Sequence, residues 1–226
     1  MVRVCDLLIL IDKVVKMKFL FALLFLSATI LLNAQEAKYG IKSAIIKKDV
    51  VAMGQNVECT WYMDDYGKKE STELTMKTGG VAGVEKHIRT IADGSSAINI
   101  DLDMKTAMKM KLPEKPINYL QLTPEIVEKY KIKETGEEDI AGKPCKKYGL
   151  EITQMGQTVQ MSVWVWKGLV LKSETSSNGM VVMVETAKTI DETSAVPTDK
   201  FTIPDGIKLP EWVFYPNVVI GVVNLN

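Results

Sequence analysis

The fold of this chain is decided by two neighbouring segments, Gly136-Glu-Glu-Asp-Ile-Ala-Gly-Lys-Pro-Cys-Lys-Lys-Tyr148 and Val163-Trp-Val-Trp-Lys-Gly-Leu169. In the first, Gly142-Lys-Pro144 is typical of a turn, because Gly accepts a positive φ and Pro fixes φ near −65°. After this turn, apolar side chains recur at every second residue of Tyr148–Ile152, which places them on one face of a strand. The first segment therefore predicts two strands joined by a tight turn.

The second segment predicts a strand that is apolar on both faces. Val163 and Val165 share one face. Trp164 and Trp166 share the other. Lys167-Gly168 then predicts a turn that brings the chain back antiparallel. Because each face carries apolar groups, we expect something to cover the sheet on both sides.

The rest of the sequence predicts strand after strand, with frequent turn signals. Gln55–Met63 alternates apolar with polar side chains, and Ile98–Leu112 is typical of a hairpin with one apolar and one charged face. A short helix is predicted after Thr123, which can cap it, and Pro124, which suits its first position. We expect one domain over residues 35–209 that is mainly β (β-rich α+β): a curved antiparallel sheet or incomplete barrel with a short covering helix.

These two segments carry a resemblance to a known family. Gly136–Gly142, Cys145–Tyr148 and Val163–Val165 resemble the core of the periplasmic lipoprotein-carrier superfamily of the LolA/LolB/LppX type, and most of all its uncharacterised secreted bacterial relatives. The resemblance extends loosely from Ala37 to Pro210. It implies an incomplete barrel with a cavity for acyl chains, which binds lipid or acylated lipoprotein without a cofactor. The shared pattern consists of strands and turns, so it assigns no binding residue.

The N-terminus is typical of an export signal, residues 1–34. Lys16 and Lys18 precede an apolar run over Phe19–Leu32, and a small residue, Ala34, stands where cleavage is expected. Met17 makes a better start than Met1, which indicates an over-extended reading frame. Gln35 stands where a lipid-anchored protein would carry Cys, so we expect a cleaved, unanchored protein in the periplasm or medium. The alternative is an uncleaved anchor, although the run is short for a membrane span.

Cys59 and Cys145 are the two cysteines of the expected mature chain. An oxidising export compartment favours a disulfide between them. Cys59 also shares an apolar strand face with Val57 and Trp61, as a buried thiol would. Both alternatives stay open, and the spacing excludes a cysteine-cage metal site.

The sequence provides no catalytic constellation. His87 is the single histidine, and nothing near it has the spacing of a zinc site or a triad. Asp64-Asp65 and Glu137-Glu138-Asp139 are adjacent carboxylates in turns, which are usually solvated. With 28 basic and 28 acidic residues, the chain also lacks the charge of a nucleic-acid-binding protein. We therefore expect no enzyme activity, no metal and no cofactor.

Apolar surface remains as the functional signal. A ligand cavity would be lined by five candidates: Trp164, Trp166, Met108, Met110 and Leu102. The leading hypothesis is a secreted protein that binds lipid or lipoprotein acyl chains in an apolar concavity, in which case Trp164→Ala weakens uptake more than folding. The alternative is a structural or interaction module of the cell envelope with a packed core, which binds an envelope protein. The apolar tail, residues 210–226, has no assigned role.

Overall fold

The computed structural model describes residues 37–52, 54–78, 84–93, 95–112, 116–154 and 157–209. The predicted signal peptide, residues 1–34, and the apolar tail, residues 210–226, both lie outside these ranges. Among the described residues, no helix is long and apolar enough to cross a membrane.

Eleven strands and one short α-helix form the regular structure of these residues. The strands are β1 (Ala44–Ala52), β2 (Gln55–Asp64), β3 (Lys69–Thr78), β4 (Val84–Asp93), β5 (Ser96–Asp101), β6 (Thr106–Lys111), β7 (Lys133–Ile140), β8 (Lys143–Gln154), β9 (Gln157–Trp166), β10 (Leu169–Ser177) and β11 (Met180–Asp191). The helix α1 spans Pro124–Lys129, and single 3₁₀ turns cover Asp65–Gly67 and Thr198–Phe201.

All eleven strands belong to one antiparallel sheet, in the order β6-β5-β4-β3-β2-β1-β11-β10-β9-β8-β7. The chain starts in the middle at β1 and moves outward strand by strand to the edge at β6. It then crosses to the other edge, β7, and returns inward until β11 pairs with β1. Within the described residues the sheet stays open, with β6 and β7 as its edges. The predicted mainly β fold, a curved antiparallel sheet or incomplete barrel with a short helix, is therefore confirmed, and the structure shows the sheet to be open.

Local turn chemistry explains the hairpins. Between β7 and β8 the turn consists of Ala141 and Gly142, which have φ of 50° and 74°. Two consecutive residues with positive φ form the turn whose twist suits a two-residue hairpin. The sequence placed this turn one residue too late, at Gly142–Pro144, and Pro144 instead lies inside β8. The predicted Lys167-Gly168 turn and the hairpin of β5 and β6 are confirmed.

The middle of the sheet holds the main apolar core, here called the central core. Eleven buried side chains form it: Tyr39, Ile41, Ala44, Ile46, Met63, Ile140, Cys145, Trp164, Leu169, Leu171 and Ala187. Only three partly buried apolar residues pack against them, namely Trp61, Trp166 and Ile190. Because nearly every member is fully enclosed, burial of this core contributes most of the hydrophobic stabilisation of the sheet.

A second, smaller core lies towards β6, where the chain after β11 folds back over the sheet. Ile203 and Ile207 pack there against buried residues of β4, β5 and β6. Charges fasten the same segment: Arg89 donates to Glu73 at 2.7 and 2.9 Å and to the backbone carbonyl of Asp199 at 2.9 Å. Lys200 also donates to Glu73, at 3.0 and 3.1 Å. Glu73 thus holds two cations that fix the segment to the sheet.

We expect the bonds of Glu73 to Arg89 and Lys200 to make the free energy of unfolding depend on pH. Burial alone would raise the pKa of Glu73, but hydrogen bonds from Lys200 and Arg89 outweigh burial and lower it. A carboxylate with a lowered pKa stabilises the fold above its unfolded pKa of about 4.3, and this contribution is lost as pH falls through the folded value. Urea unfolding should therefore show Glu73→Gln less stable than the parent at neutral pH, with the difference narrowing below about pH 4. A difference that is constant over pH would contradict this account.

Candidate ligand-binding site

The segment that crosses from β6 to β7 lies over one face of β8, β9 and β10. Its described part, residues 117–132, is called the lid here. The lid contains α1, whose N-cap Thr123 accepts a hydrogen bond through Oγ1 from the backbone N–H of Ile126 at 3.3 Å. A helix of six residues is too short to be stable by itself in water. Contacts with the sheet must therefore hold the lid.

The apolar residues between lid and sheet form what we call the lid cluster. Four are buried: Ile132, Leu150, Val163 and Val165. Ten more are only partly buried: Ile117, Tyr119, Leu122, Ile126, Val127, Tyr130, Tyr148, Ile152, Met161 and Val170. In the central core the proportion is reversed, with eleven buried and three partly buried. The lid cluster is thus the described apolar core with the most partly exposed side chains.

The C-terminal end of the lid is tied to β8. The backbone N–H of Glu151 donates to the carbonyl of Tyr130 at 2.8 Å, and the Lys131 ammonium pairs with the Glu151 carboxylate. Near the other end, Leu120 lies against Gly168 in the β9–β10 turn. The approach is so close that a Cβ added to Gly168 would lie 2.9 Å from the Cγ of Leu120. Between these points the lid touches the sheet through apolar side chains, which can separate without breaking the hydrogen bonds between strands.

Two tyrosines bring polar hydroxyl groups into this apolar region. The rings of Tyr119 on the lid and Tyr148 on β8 lie 6.0 Å apart, at an angle of 31°. Burial raises the pKa of Tyr119 to about 12, and burial also raises the pKa of Tyr148, with a further contribution from Glu134. Both hydroxyls therefore stay neutral at physiological pH. They add hydrogen-bonding capacity to the cluster without adding charge.

The five residues proposed from the sequence are not gathered around one cavity. Trp164, which is 1% exposed, belongs to the central core, and Trp166 packs against it. Leu102 packs against the small core near β6. Met108 and Met110 lie half-buried on β6, at the far side of the sheet from β9. The expectation of a single cavity lined by this set is thus not supported by where the residues lie.

Trp164 is enclosed by polar as well as apolar neighbours. Its indole N–H donates to Glu138 at 2.6 Å. The ammonium groups of Lys172 and Lys147 lie 4.1 and 4.5 Å from the ring centroid. These cations come from the strands on either side, because Lys147 and Lys172 both pair in register with Trp164. Cation–π contacts and a hydrogen bond suit a structural side chain, since they occupy the ring that a ligand would need.

Cys59 and Cys145 are free, buried thiols in the structure. Four strands, β1, β11, β10 and β9, separate β2 from β8 in the sheet. A disulfide requires Cα atoms within about 7 Å, whereas neighbouring strands alone are about 4.8 Å apart. Burial raises the pKa of Cys59 to about 12 and also raises that of Cys145. Of the two alternatives for these cysteines, a disulfide or two buried thiols, the structure has the buried thiols.

The described polar residues outside the lid cluster give little evidence of a second functional site. Among the described residues, no three side chains of His, Cys, Asp or Glu come together as metal ligands. His87 is half-exposed, with Nδ1 at 3.0 Å from an Asp103 carboxylate oxygen. Two surface depressions, of about 300 and 290 Å³, are lined largely by polar and charged residues, although the first also borders Leu150 and Met161 of the lid cluster. Neither includes any of the five cavity candidates.

Sequence reasoning found the elements of the lid cluster but placed its candidates Trp164 and Trp166 on the other face of β9. The alternation of Tyr148, Leu150 and Ile152 and the stripe of Ile126 and Val127 on α1 were both visible in the sequence. Together they indicate which sheet face meets the helix, because two apolar surfaces of matching length bury each other. Tyr119 and Leu122, which lie on irregular chain before α1, gave no periodic signal.

Comparison with known proteins gives a family and a fold. A family model described as "Domain of unknown function (DUF4412)" matches residues 45–192, well over half of the chain. This range begins in β1 and ends just after β11, so it contains the entire sheet and the lid. A search of proteins with curated functions found no match.

Several solved structures are similar to this chain. An uncharacterized conserved protein from Thermus thermophilus has a TM-score of 0.51 at 11% identity, covering 81% of this chain and 98% of its own. MucB has a TM-score of 0.48 at 13% identity, covering 79% and 62%. A putative outer membrane lipoprotein-sorting protein domain from Vibrio parahaemolyticus has a TM-score of 0.37 at 9% identity, covering 73% and 92%. Of these three, the Thermus protein alone exceeds 0.5, and at that identity it shows a shared fold.

Proposed function

We propose that this chain, which belongs to the DUF4412 family, is a non-enzymatic binding protein of the bacterial cell envelope that holds acyl chains of lipid or lipoprotein between its lid and its sheet. The observation that carries this proposal is the lid cluster, with ten partly buried apolar side chains around four buried ones. Solvated apolar surface of this kind is costly, and a hydrophobic ligand that covers it gains about 25 cal/mol for each Å² removed from water.

Three features of the chain support this proposal. The lid rests on the sheet mainly through side-chain packing, so an acyl chain can replace these contacts. The sequence resembles lipoprotein carriers, which implies the same ligand class, and its N-terminus is typical of an exported protein. Tyr119 and Tyr148 place neutral hydroxyls inside the cluster, where the ester or carboxyl end of a lipid would accept a hydrogen bond.

A second candidate is an interaction module of the envelope that binds a protein and no lipid. The packing of the central core favours it, because the tryptophans expected to line a cavity are enclosed there. The two candidates differ in one observable, the uptake of a free acyl chain. The second requires none.

Binding of cis-parinaric acid, a fluorescent fatty acid, separates them. We expect Val127→Asp on the lid and Met161→Asp on β9 each to weaken binding at least about tenfold, because each places a carboxylate in the apolar cluster. The matched control, Gln121→Asp, adds the same charge at an exposed lid position and should bind like the parent. Equal affinity of parent and Val127→Asp would contradict the lid site. A parent that binds no fatty acid would favour the protein-binding module.

A further inference from the structure

Three neighbouring hairpins at one end of the sheet lack charge at their described ends, whereas the next hairpin at that end, between β3 and β4, carries the ion pair Lys77–Glu85. The antiparallel register brings the ends of three hairpins together there, as the pairs Val51–Val184 and Val159–Ser177 show. The hairpins join β1 to β2, β8 to β9 and β10 to β11, six strands that are neighbours in the sheet. Their described end residues contain no Asp, Glu, Lys or Arg, and we call them the apolar tip: 50–52, 54–57, 152–154, 157–162 and 175–184.

The apolar tip exposes large hydrophobic side chains. Met180 is 68% exposed, Val181 is 58% exposed and Val51 is 39% exposed. Val51 pairs with Val184, which follows Val181 by three residues, or about 10 Å, along β11. Across six strands spaced about 4.8 Å apart, the tip is about 24 Å wide. Its exposed large apolar side chains lie on two of these strands, β1 and β11, and exposed apolar groups that cluster in this way generally mark a binding surface.

The tip has a defined depth. On five of its six strands the first charged residues behind it are Asp49, Glu58, Glu151, Glu174 and Glu185, and all five are acidic. The shallowest described stretch, Val50–Ala52, spans three residues, or about 10 Å at about 3.3 Å per residue. Groups that lie in a membrane interface are buried about 5–10 Å into the boundary between headgroups and acyl chains. The uncharged depth of the tip matches that layer.

We propose that the apolar tip docks this protein onto a lipid bilayer, with the exposed side chains of Val51, Met180 and Val181 inserted at the interface. A bilayer suits these residues because it accepts flexible apolar side chains without a complementary shape, and the tip is formed by hairpin ends and not by a groove. Anionic lipids bind proteins through clustered Lys and Arg, which the tip lacks. Four of the five carboxylates behind the tip are paired with lysines, namely Asp49, Glu151, Glu174 and Glu185, so they leave little net charge there and a zwitterionic bilayer suffices.

Docking at the tip goes beyond the proposed binding of an acyl chain under the lid, since the inserted residues Val51, Met180 and Val181 lie outside the lid cluster. Ile152 and Met161 belong to both regions, so Val127→Asp is the lid variant for this comparison. The two can be measured separately. A variant of the tip should lose vesicle binding and still take up cis-parinaric acid. A variant of the lid should do the reverse. Failure of one therefore does not imply failure of the other.

Vesicle flotation tests the proposal on the full chain. We expect binding to phosphatidylcholine vesicles that is unchanged between about 50 and 500 mM salt, because no ion pairing is involved. Adding phosphatidylglycerol should leave binding unchanged. The double variant Met180→Asp/Val181→Asp should lower the partition coefficient at least about tenfold, because charge is costly in the interface. Its fatty-acid uptake, unchanged from the parent, shows that it folds.

The matched control is Tyr66→Asp. Tyr66 is 43% exposed in the β2–β3 turn, at the opposite end of the sheet, and Asp tolerates its positive φ. This control should float with vesicles like the parent. Three results would overturn the proposal: no flotation of the parent, flotation that requires anionic lipid, or equal flotation of the double variant. A parent that forms a dimer through the tip without binding vesicles would overturn it as well.

Discussion

Trp164→Ala is expected to lower the free energy of unfolding by about 3–5 kcal/mol, the cost of truncating a large aromatic in a packed core. Trp164 is 1% exposed and packs among the eleven buried residues of the central core. Its removal leaves a cavity there, and the Lys147 and Lys172 ammonium groups lose the ring that they face. Urea unfolding at neutral pH measures the loss.

The control for this prediction is Trp164→Phe, which keeps an aromatic ring and most of the apolar volume and loses the N–H that donates to Glu138. We expect it to cost about 1–2 kcal/mol, because Glu138 is solvent-exposed and can bond to water instead. Uptake of cis-parinaric acid by folded Trp164→Ala should equal that of the parent. A large loss of uptake with little loss of stability would instead return Trp164 to the ligand site, as the sequence had suggested.

Glu185→Gln is expected to destabilise the protein by about 3 kcal/mol, whereas Lys48→Met should cost about 1 kcal/mol or less. The Lys48 side chain is 7% exposed, and its ammonium donates to Glu185 at 2.6 Å and to the carbonyl of Val170 at 3.2 Å. Without the Glu185 carboxylate, a charge is left buried beside the ring of Trp61. Without the ammonium, Glu185, at 28% exposure, still reaches water.

The difference between the losses expected for Glu185→Gln and Lys48→Met tests the role of the Lys48–Glu185 ion pair. Chemical denaturation of both single variants measures it. The double variant Lys48→Met/Glu185→Gln should be close in stability to Lys48→Met alone, since the buried charge is gone from both. Equal losses in the two single variants, or a larger loss in Lys48→Met, would contradict the idea that the uncompensated ammonium carries the cost.

The sequence predicted strands well because their signal is local. Alternation along β2, β5, β6 and β8 depends on neighbours two residues away, and turn residues such as Gly168 act on their own backbone. The order of the strands in the sheet, in contrast, depends on contacts between distant parts of the sequence. β1 pairs with β11 across more than 130 residues, from Ile46 to Ile190. Neither strand has a sequence feature that indicates which strand it pairs with. The open sheet was predictable, but its arrangement from the centre outward was not.

The site was harder to predict for the same physical reason. Both faces of β9 are apolar, so periodicity alone cannot say which face is packed and which is only partly covered. The answer depends on the lid, a segment whose contacts with the sheet span distant parts of the sequence. Trp164 attracted attention because tryptophan often lines binding sites, yet its position beside Leu169 and Leu171 places it in the core.

The central claim is that the lid and the sheet hold an acyl chain. Native mass spectrometry tests it most directly, on protein expressed from the full sequence and purified without detergent or reductant. The account predicts a heterogeneous set of lipid-mass adducts on the parent, released on denaturation and absent from Val127→Asp. An adduct-free mass, with no uptake of added phospholipid or acylated peptide, would contradict it.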